Sequence, residues 1–276
     1  MYGSRITIEA KKEVKMMKRD VLSRYADELE RRVRLQTFPL AIKFLESEEL
    51  IPKGATRPLR DLGYRLALCQ GYALSRKEGK TIAMFKEDMW CFEPIIGYGW
   101  AQAPQYFLDG YNRYPQDVES LDAGKNYVSD FPCLPVGRYQ GVVSAPLSTA
   151  GFPPDLVMMY CNSSQLSLLL LAREHKDGHD LSCHLSSHAA CVYAVVPSIQ
   201  SGKSQVAIPC RGDRYMALAG DDEIIFTVPT GKLEELLAGL RHIEKYGSRL
   251  PRNPYMKPEP ELLPESYMKI LGMLQT

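Results

Sequence analysis

Two stretches decide the reading of this chain: CQGYALSR at Cys69–Arg76 and SQLSLLLLAR at Ser164–Arg173. Each carries a glutamine, runs through an apolar segment to an arginine, and is followed by a glycine and then a cysteine. Gln70 stands 9 positions before Gly79 and Gln165 stands 13 before Gly178; the steps on to Cys91 and Cys191 are 12 and 13. One added helical turn covers most of the difference. The match predicts an internally duplicated strand–helix–strand–helix unit, with Gln70 paired to Gln165 and Cys91 to Cys191.

Working outward, Leu40–Leu45 (LAIKFL) reads as a strand, Leu66–Lys77 as a helix ended by Gly79, and Thr81–Phe85 as a short buried strand. Cys91–Tyr98 opens a further helix. Gln140–Ala145 and Leu156–Tyr160 read as strands, and Gln165–His175 as a buried helix. Ala189–Val196 fits helix or strand, and its place in the pattern favours helix. Gln205–Pro209, Tyr215–Ala219 and Glu223–Val228 read as strands, with Gly212-Asp213 and Gly220-Asp221 as turns, a β-hairpin region. Lys232–Tyr246 closes the series as an amphipathic helix. At the front, Val14, Met17, Val21, Tyr25, Leu29 and Val33 fall at helical spacing within Glu9–Gln36. The expected class is α+β (mixed α/β). Residues 1–38 form an N-terminal helix, 39–247 one compact domain with related halves 39–135 and 136–247, and 248–276 a Pro-rich arm with a short helical end.

A chain of 276 residues can bury a substantial core, and 45% apolar with 24% charged residues is ordinary for a globular protein. The net charge of +1 carries no field for nucleic acid. The longest aliphatic run, Leu168–Ala172, is far short of a membrane span. Met1–Lys18 is charged throughout, unlike a secretory signal. Seven cysteines, an odd number, point to reduced thiols in a cytoplasm.

Several motifs fail. Gly79-Lys80-Thr81 and Gly202-Lys203-Ser204 lack the leading glycine of a phosphate loop, where Leu74 and Pro197 stand. Gly97-Tyr98-Gly99 has Gln102 where a dinucleotide fingerprint needs its third glycine. There is no Gly-x-Ser-x-Gly, His-Glu-x-x-His or Cys-x-x-Cys.

The remaining chemistry lies in thiols and amides. Cys69 and Cys91 fall in first helical turns, Cys161 ends a strand just before a helix, and Cys191 begins another. Helix starts stabilise thiolates. Four converging thiolates would seat an iron–sulfur cluster or zinc, although buried free cysteine is commonly just a small hydrophobe. Cys133, Cys183 and Cys210 read as structural. Asn162-Ser-Ser-Gln165 is a good helix cap and also a place where a ligand meets a strand end, so Gln70, Asn162 and Gln165 are candidate ligand-lining residues. His175, His179, His184 and His188 form a tract in a polar loop. Eight aromatics between Trp90 and Tyr114 read as core packing or a pocket wall. Arg211-Gly-Asp-Arg214 reads as a hairpin turn.

Leu40–Leu45 after Pro39, Cys69-Gln70, Cys91, GVVSAPL at Gly141–Leu147, Asp155–Tyr160, Asn162–Gln165, Cys191, Gly212–Arg214 and Glu223–Pro229 occur in characteristic order. In this the chain resembles the uncharacterised ArCR-type domain-of-unknown-function family of archaea and anaerobic bacteria. The resemblance runs from about Pro39 to Tyr246. It places proline where this chain has Ser163, and it does not include Cys161. The anaerobic association implies oxygen-sensitive redox chemistry. The leading expectation is a cytoplasmic cofactor- or metabolite-binding protein, with Cys69, Cys91, Cys191 and Cys161 holding an iron–sulfur cluster or metal. A cysteine-dependent enzyme and a homo-oligomeric assembly subunit, joined through the first helix and the arm, are the alternatives.

Overall fold

The computed structural model describes residues 20–248, 250 and 264–274. Part of the expected first helix and most of the Pro-rich arm, with Pro251, Pro254, Pro258 and Pro260, lie outside them. Residues 20–33 form helix α1, and it ends at Arg34, whose backbone is left-handed (φ 56°).

Six strands follow: β1 Leu40–Leu45, β2 Ile82–Phe85, β3 Gly141–Pro146, β4 Leu156–Cys161, β5 Gln205–Ala207 and β6 Ile224–Pro229. They make one sheet in the order β2-β3-β1-β4-β6-β5, and every neighbouring pair is antiparallel. The order reads alike outward from the central β1/β4 pair: first, third, second strand of each half. β1, β2, β3 and β4 are almost wholly buried, because helices cover both faces. Strands covered twice need continuous apolar runs rather than alternation, as LVMMYC in β4 shows. The expected α+β class is the one that forms.

One face carries α2 Leu68–Glu78, α3 Phe92–Gly97, α7 Ala190–Ser201 and α8 Arg211–Ala217. Beside it lie the short α4 Gln105–Leu108 and α5 Leu121–Asp130, joined to the core through rings such as Phe107 against Phe131 (5.5 Å). The other face carries α1, α6 Ser163–Glu174 and α9 Thr230–Lys245. α6 and α9 touch backbone to backbone: a Cβ on Gly239 would sit 2.0 Å from the Ala172 carbonyl oxygen, so only glycine permits this approach. The last helix, α10 Glu265–Leu274, is exposed throughout. Among the described residues no helix is long and apolar enough to cross a membrane.

The region expected to be a β-hairpin differs. β5 and β6 do pair antiparallel, but Arg211–Ala217 between them is a helix with Cys210 as its N-cap. Asp213 is its third residue, a place where a carboxylate favours a helix start rather than a tight turn. Leu218, left-handed at φ 55°, stops it. The helix preferred for Ala189–Val196 is correct and longer.

Candidate functional site

Matching the strands by their order in the sheet pairs different residues from those that the sequence spacing paired. The helix that packs on this face and leads through a left-handed glycine into the outermost strand is α2 in the first half, ending at Gly79, and α7 in the second, ending at Gly202. Cys69 is the second residue of α2, and Cys191 is the second residue of α7. After the outermost strand, Cys91 caps α3 and Cys210 caps α8. α6 has no counterpart in the first half and lies on the opposite face, so Gln70 and Gln165 occupy unrelated places.

α2 packs against α8 and α3 against α7, which brings the four helix starts together. Cys69 forms a small buried knot with Ala67 and Ala217, with Ala73 and Cys91 packed against it. All six pairs among Cys69, Cys91, Cys191 and Cys210 lie within electrostatic reach of one another. Burial, first, and then Glu93 push the Cys91 thiol up to about 12. Burial drives Cys69 and Cys191 higher, with Asp213 and the neighbouring thiols adding to the effect. Without a bound cation these thiols are therefore protonated, the reverse of what a cysteine nucleophile requires.

Asp213 stands beside them, 1% exposed. Its Oδ2 accepts a hydrogen bond from the Tyr160 hydroxyl at 2.9 Å, while its Oδ1 is buried without a partner. Desolvation lifts its carboxyl to about 6. An unsatisfied carboxylate oxygen in such a place costs stability unless something binds it.

Cys161 does not join the group. Strand alternation turns Leu156, Met158 and Tyr160 toward the thiol face, and Val157, Met159 and Cys161 toward the other. Its Sγ donates instead to the Ile224 carbonyl at 3.4 Å. Cys210, read from sequence as structural, takes the fourth place. Its signal in the sequence is a cysteine three positions before Asp213, which a turn at Gly212-Asp213 conceals. Among the described residues no three His, Cys, Asp or Glu side chains stand close enough to hold a metal ion.

The amides are largely occupied. Gln70 Oε1 accepts from the Ala67 N–H at 2.8 Å. Asn162 and Gln165 close a reciprocal capping box at 2.8 and 2.9 Å, and Gln165 Nε2 donates to the Arg34 carbonyl at 2.6 Å. Asn162 and Gln165 nonetheless line a cleft of about 300 Å³, together with Thr37, Lys77, Tyr160 and Glu223. A hollow of about 350 Å³ adjoins it, shares Thr37 and Lys77, and adds Glu30 and Arg76.

Of the histidine tract, His188 alone enters a buried polar group. Arg113 donates to its Nδ1 at 2.6 Å, so the imidazole is neutral with its proton on Nε2. Burial and the Arg113 charge lower its pKa. Arg113 also pairs with Glu93 (2.8 Å) and Asp117 (3.1 Å). It thereby ties the start of α3, beside Cys91, to the segment leading into α7 and Cys191. The aromatic stretch packs over the same place, with Tyr98 against Trp100 and Phe92 against Phe107, and the Tyr98 hydroxyl donates to the Cys191 carbonyl at 3.0 Å.

No solved structure matches the chain. An uncharacterised protein of the archaeon Methanocaldococcus jannaschii is 22% identical over 209 residues, covering 75% of this chain and 88% of that protein. A family model described as uncharacterised ArCR matches residues 28–239, well over half of the sequence, and the chain belongs to that family of domains of unknown function.

Proposed function

We propose that this is a cytoplasmic cofactor-binding protein that holds an iron–sulfur cluster through Cys69, Cys91, Cys191 and Cys210. The observation that carries the reading is that four thiols from four helix starts lie on one side of the sheet within electrostatic reach of one another. Their positions, second residue of α2 and of α7, N-cap of α3 and of α8, are those expected of two copies of one unit. Four thiolates are the usual ligand set of such clusters. The neighbours of Cys69 are small: Ala67, Ala73 and Ala217 pack around it. A cluster would also supply the cation that deprotonates thiols otherwise held protonated.

Protein purified without oxygen should carry iron and acid-labile sulfide and absorb broadly in the visible. Cys191→Ala and Cys210→Ala should each abolish this, while Cys161→Ala should leave it intact. A colourless, iron-free protein from that preparation overturns the proposal.

A second reading, assembly through the C-terminal segment, is favoured by α10. It exposes Tyr267, Met268, Ile270, Leu271, Met273 and Leu274 together, an apolar content unusual for a solvated helix. Deleting residues 264–276 should lower the number of subunits per particle in solution; an unchanged subunit number rejects it.

A further inference from the structure

The cleft beside Lys77 has a chemistry the fold does not require. On its wall Arg76, 1% exposed, forms a two-pronged ion pair with Glu223 (2.6 and 2.9 Å). Its guanidinium lies 3.8 Å above the Tyr160 ring and donates to Thr37 Oγ1 at 3.4 Å. A buried ion pair is seldom more stabilising than an apolar pair of the same size. The other half of the sheet shows that alternative. Phe44 is the fifth residue of β1, as Tyr160 is of β4, and it is covered by Tyr98 and Tyr139, both at 4.9 Å. One half closes this place with rings; the other puts charges there and leaves a cleft.

Charges also remain unspent. Both Glu223 carboxylate oxygens are used, one on Arg76 alone and the other on Arg76 and the Gly220 N–H. Among the described residues Lys77 donates only to the Leu218 carbonyl, and neither Lys77 nor Glu30 has an ion-pair partner. Lys77 borders both hollows, Glu30 one of them and Asn162 the other. Asn162 spends its carbonyl on its own cap, and among the described residues its NH₂ group has no partner. A cation and an anion that share a hollow without meeting suit a ligand carrying both charges. The volumes, about 300 and 350 Å³, fall at the lower end of the range for small-molecule sites.

We propose that this cleft binds a free amino acid, its carboxylate on Lys77 Nζ and the Asn162 amide and its ammonium on Glu30. The site is separate from the thiol group and does not depend on the cluster.

The test is calorimetric titration of the full chain with each standard amino acid up to about 10 mM, with acetate, phosphate and ethylamine as single-charge probes. At least one amino acid should bind saturably and more tightly than any single-charge probe. Lys77 is exposed and Glu30 is half-buried; Lys77→Met and Glu30→Gln should keep the melting temperature of the unliganded protein, yet each should weaken binding about tenfold or more. The proposal is overturned if no amino acid binds, if a single-charge probe binds as well, or if both variants bind like the parent. Cys191→Ala should bind the amino acid normally, so loss of the cluster and loss of this site are told apart.

Discussion

Replacing Arg76 and Glu223 singly and together tests whether their pair is a costly, coupled unit. Glu223→Leu strands a guanidinium that is 1% exposed, leaving it the Thr37 hydroxyl, the Tyr160 ring and the more distant Asp213 carboxyl in place of its paired carboxylate. Removing one partner of a buried pair costs about 3–5 kcal/mol. Arg76→Met is milder. The Glu223 side chain is 16% exposed and keeps the Gly220 N–H at 2.8 Å, so about 2 kcal/mol is expected. The double variant loses the Gly220 hydrogen bond but places two apolar chains against Tyr160, at a cost of about 1–2 kcal/mol. The singles sum to about 5–7 kcal/mol, which leaves a coupling of about 4 kcal/mol. Equilibrium urea unfolding, followed by the fluorescence of Trp90 and Trp100, measures all four corners. Additivity within about 0.5 kcal/mol would refute the reasoning, because the groups would then act independently.

Asp213, raised from 3.8 to about 6, binds its proton more tightly folded than unfolded. Stability should therefore fall as pH rises from about 4 to about 6, by roughly 3 kcal/mol; urea midpoints across that range should flatten in Asp213→Asn, and an unchanged slope assigns the effect elsewhere. In Glu223→Leu the repulsion from Glu223 is gone while the Arg76 charge remains, so the same decline should shift to lower pH. Gly239→Ala drives a methyl into the Ala172 carbonyl; it should cost about 1–3 kcal/mol and lower the melting temperature by several degrees, and an unaltered melt means that α6 and α9 can part freely. Arg113→Leu unties α3 from the segment before α7; it should lower the iron content at full expression, and intact iron would show that Cys91 and Cys191 hold their places unaided.

The strands were legible because a sheet covered on both faces needs uninterrupted apolar runs, and LAIKFL and LVMMYC are such runs. Helix ends were legible where glycine must adopt a left-handed backbone, at Gly79 (φ 74°) for instance. The face to which a helix is assigned leaves no such local mark. α2 and α6 carry similar apolar stretches and both begin with a glutamine closing a cap, yet they sit on opposite faces. That glutamine records local capping, which recurs wherever a helix starts, and so it led to the wrong correspondence. α8 was missed for a related reason. Tyr215, Met216 and Leu218 resemble strand residues, but they are 71%, 49% and 70% exposed, so their apolar character reports surface rather than core.

Three of the four thiols in the group were visible from sequence because each stands at a helix start. The fourth depended on α8 and could not be found while that segment read as a turn. Cys161 was included because it too lies near a helix start, but a strand residue is assigned to a face by parity. It shares parity with Val157 and Met159, not with Tyr160. The cleft was partly legible through Asn162 and Gln165, though their polarity is explained by the cap they form. What marks the cleft is a difference between halves: Phe44 under two tyrosines on one side, Tyr160 under a charged pair on the other. That contrast appears only when strands are matched by their order in the sheet. The same matching that pairs Cys69 with Cys191 and Cys91 with Cys210 thus also singles out the Arg76–Glu223 pair, which stands where the other half of the sheet has rings, and the two proposed sites follow from a single correspondence.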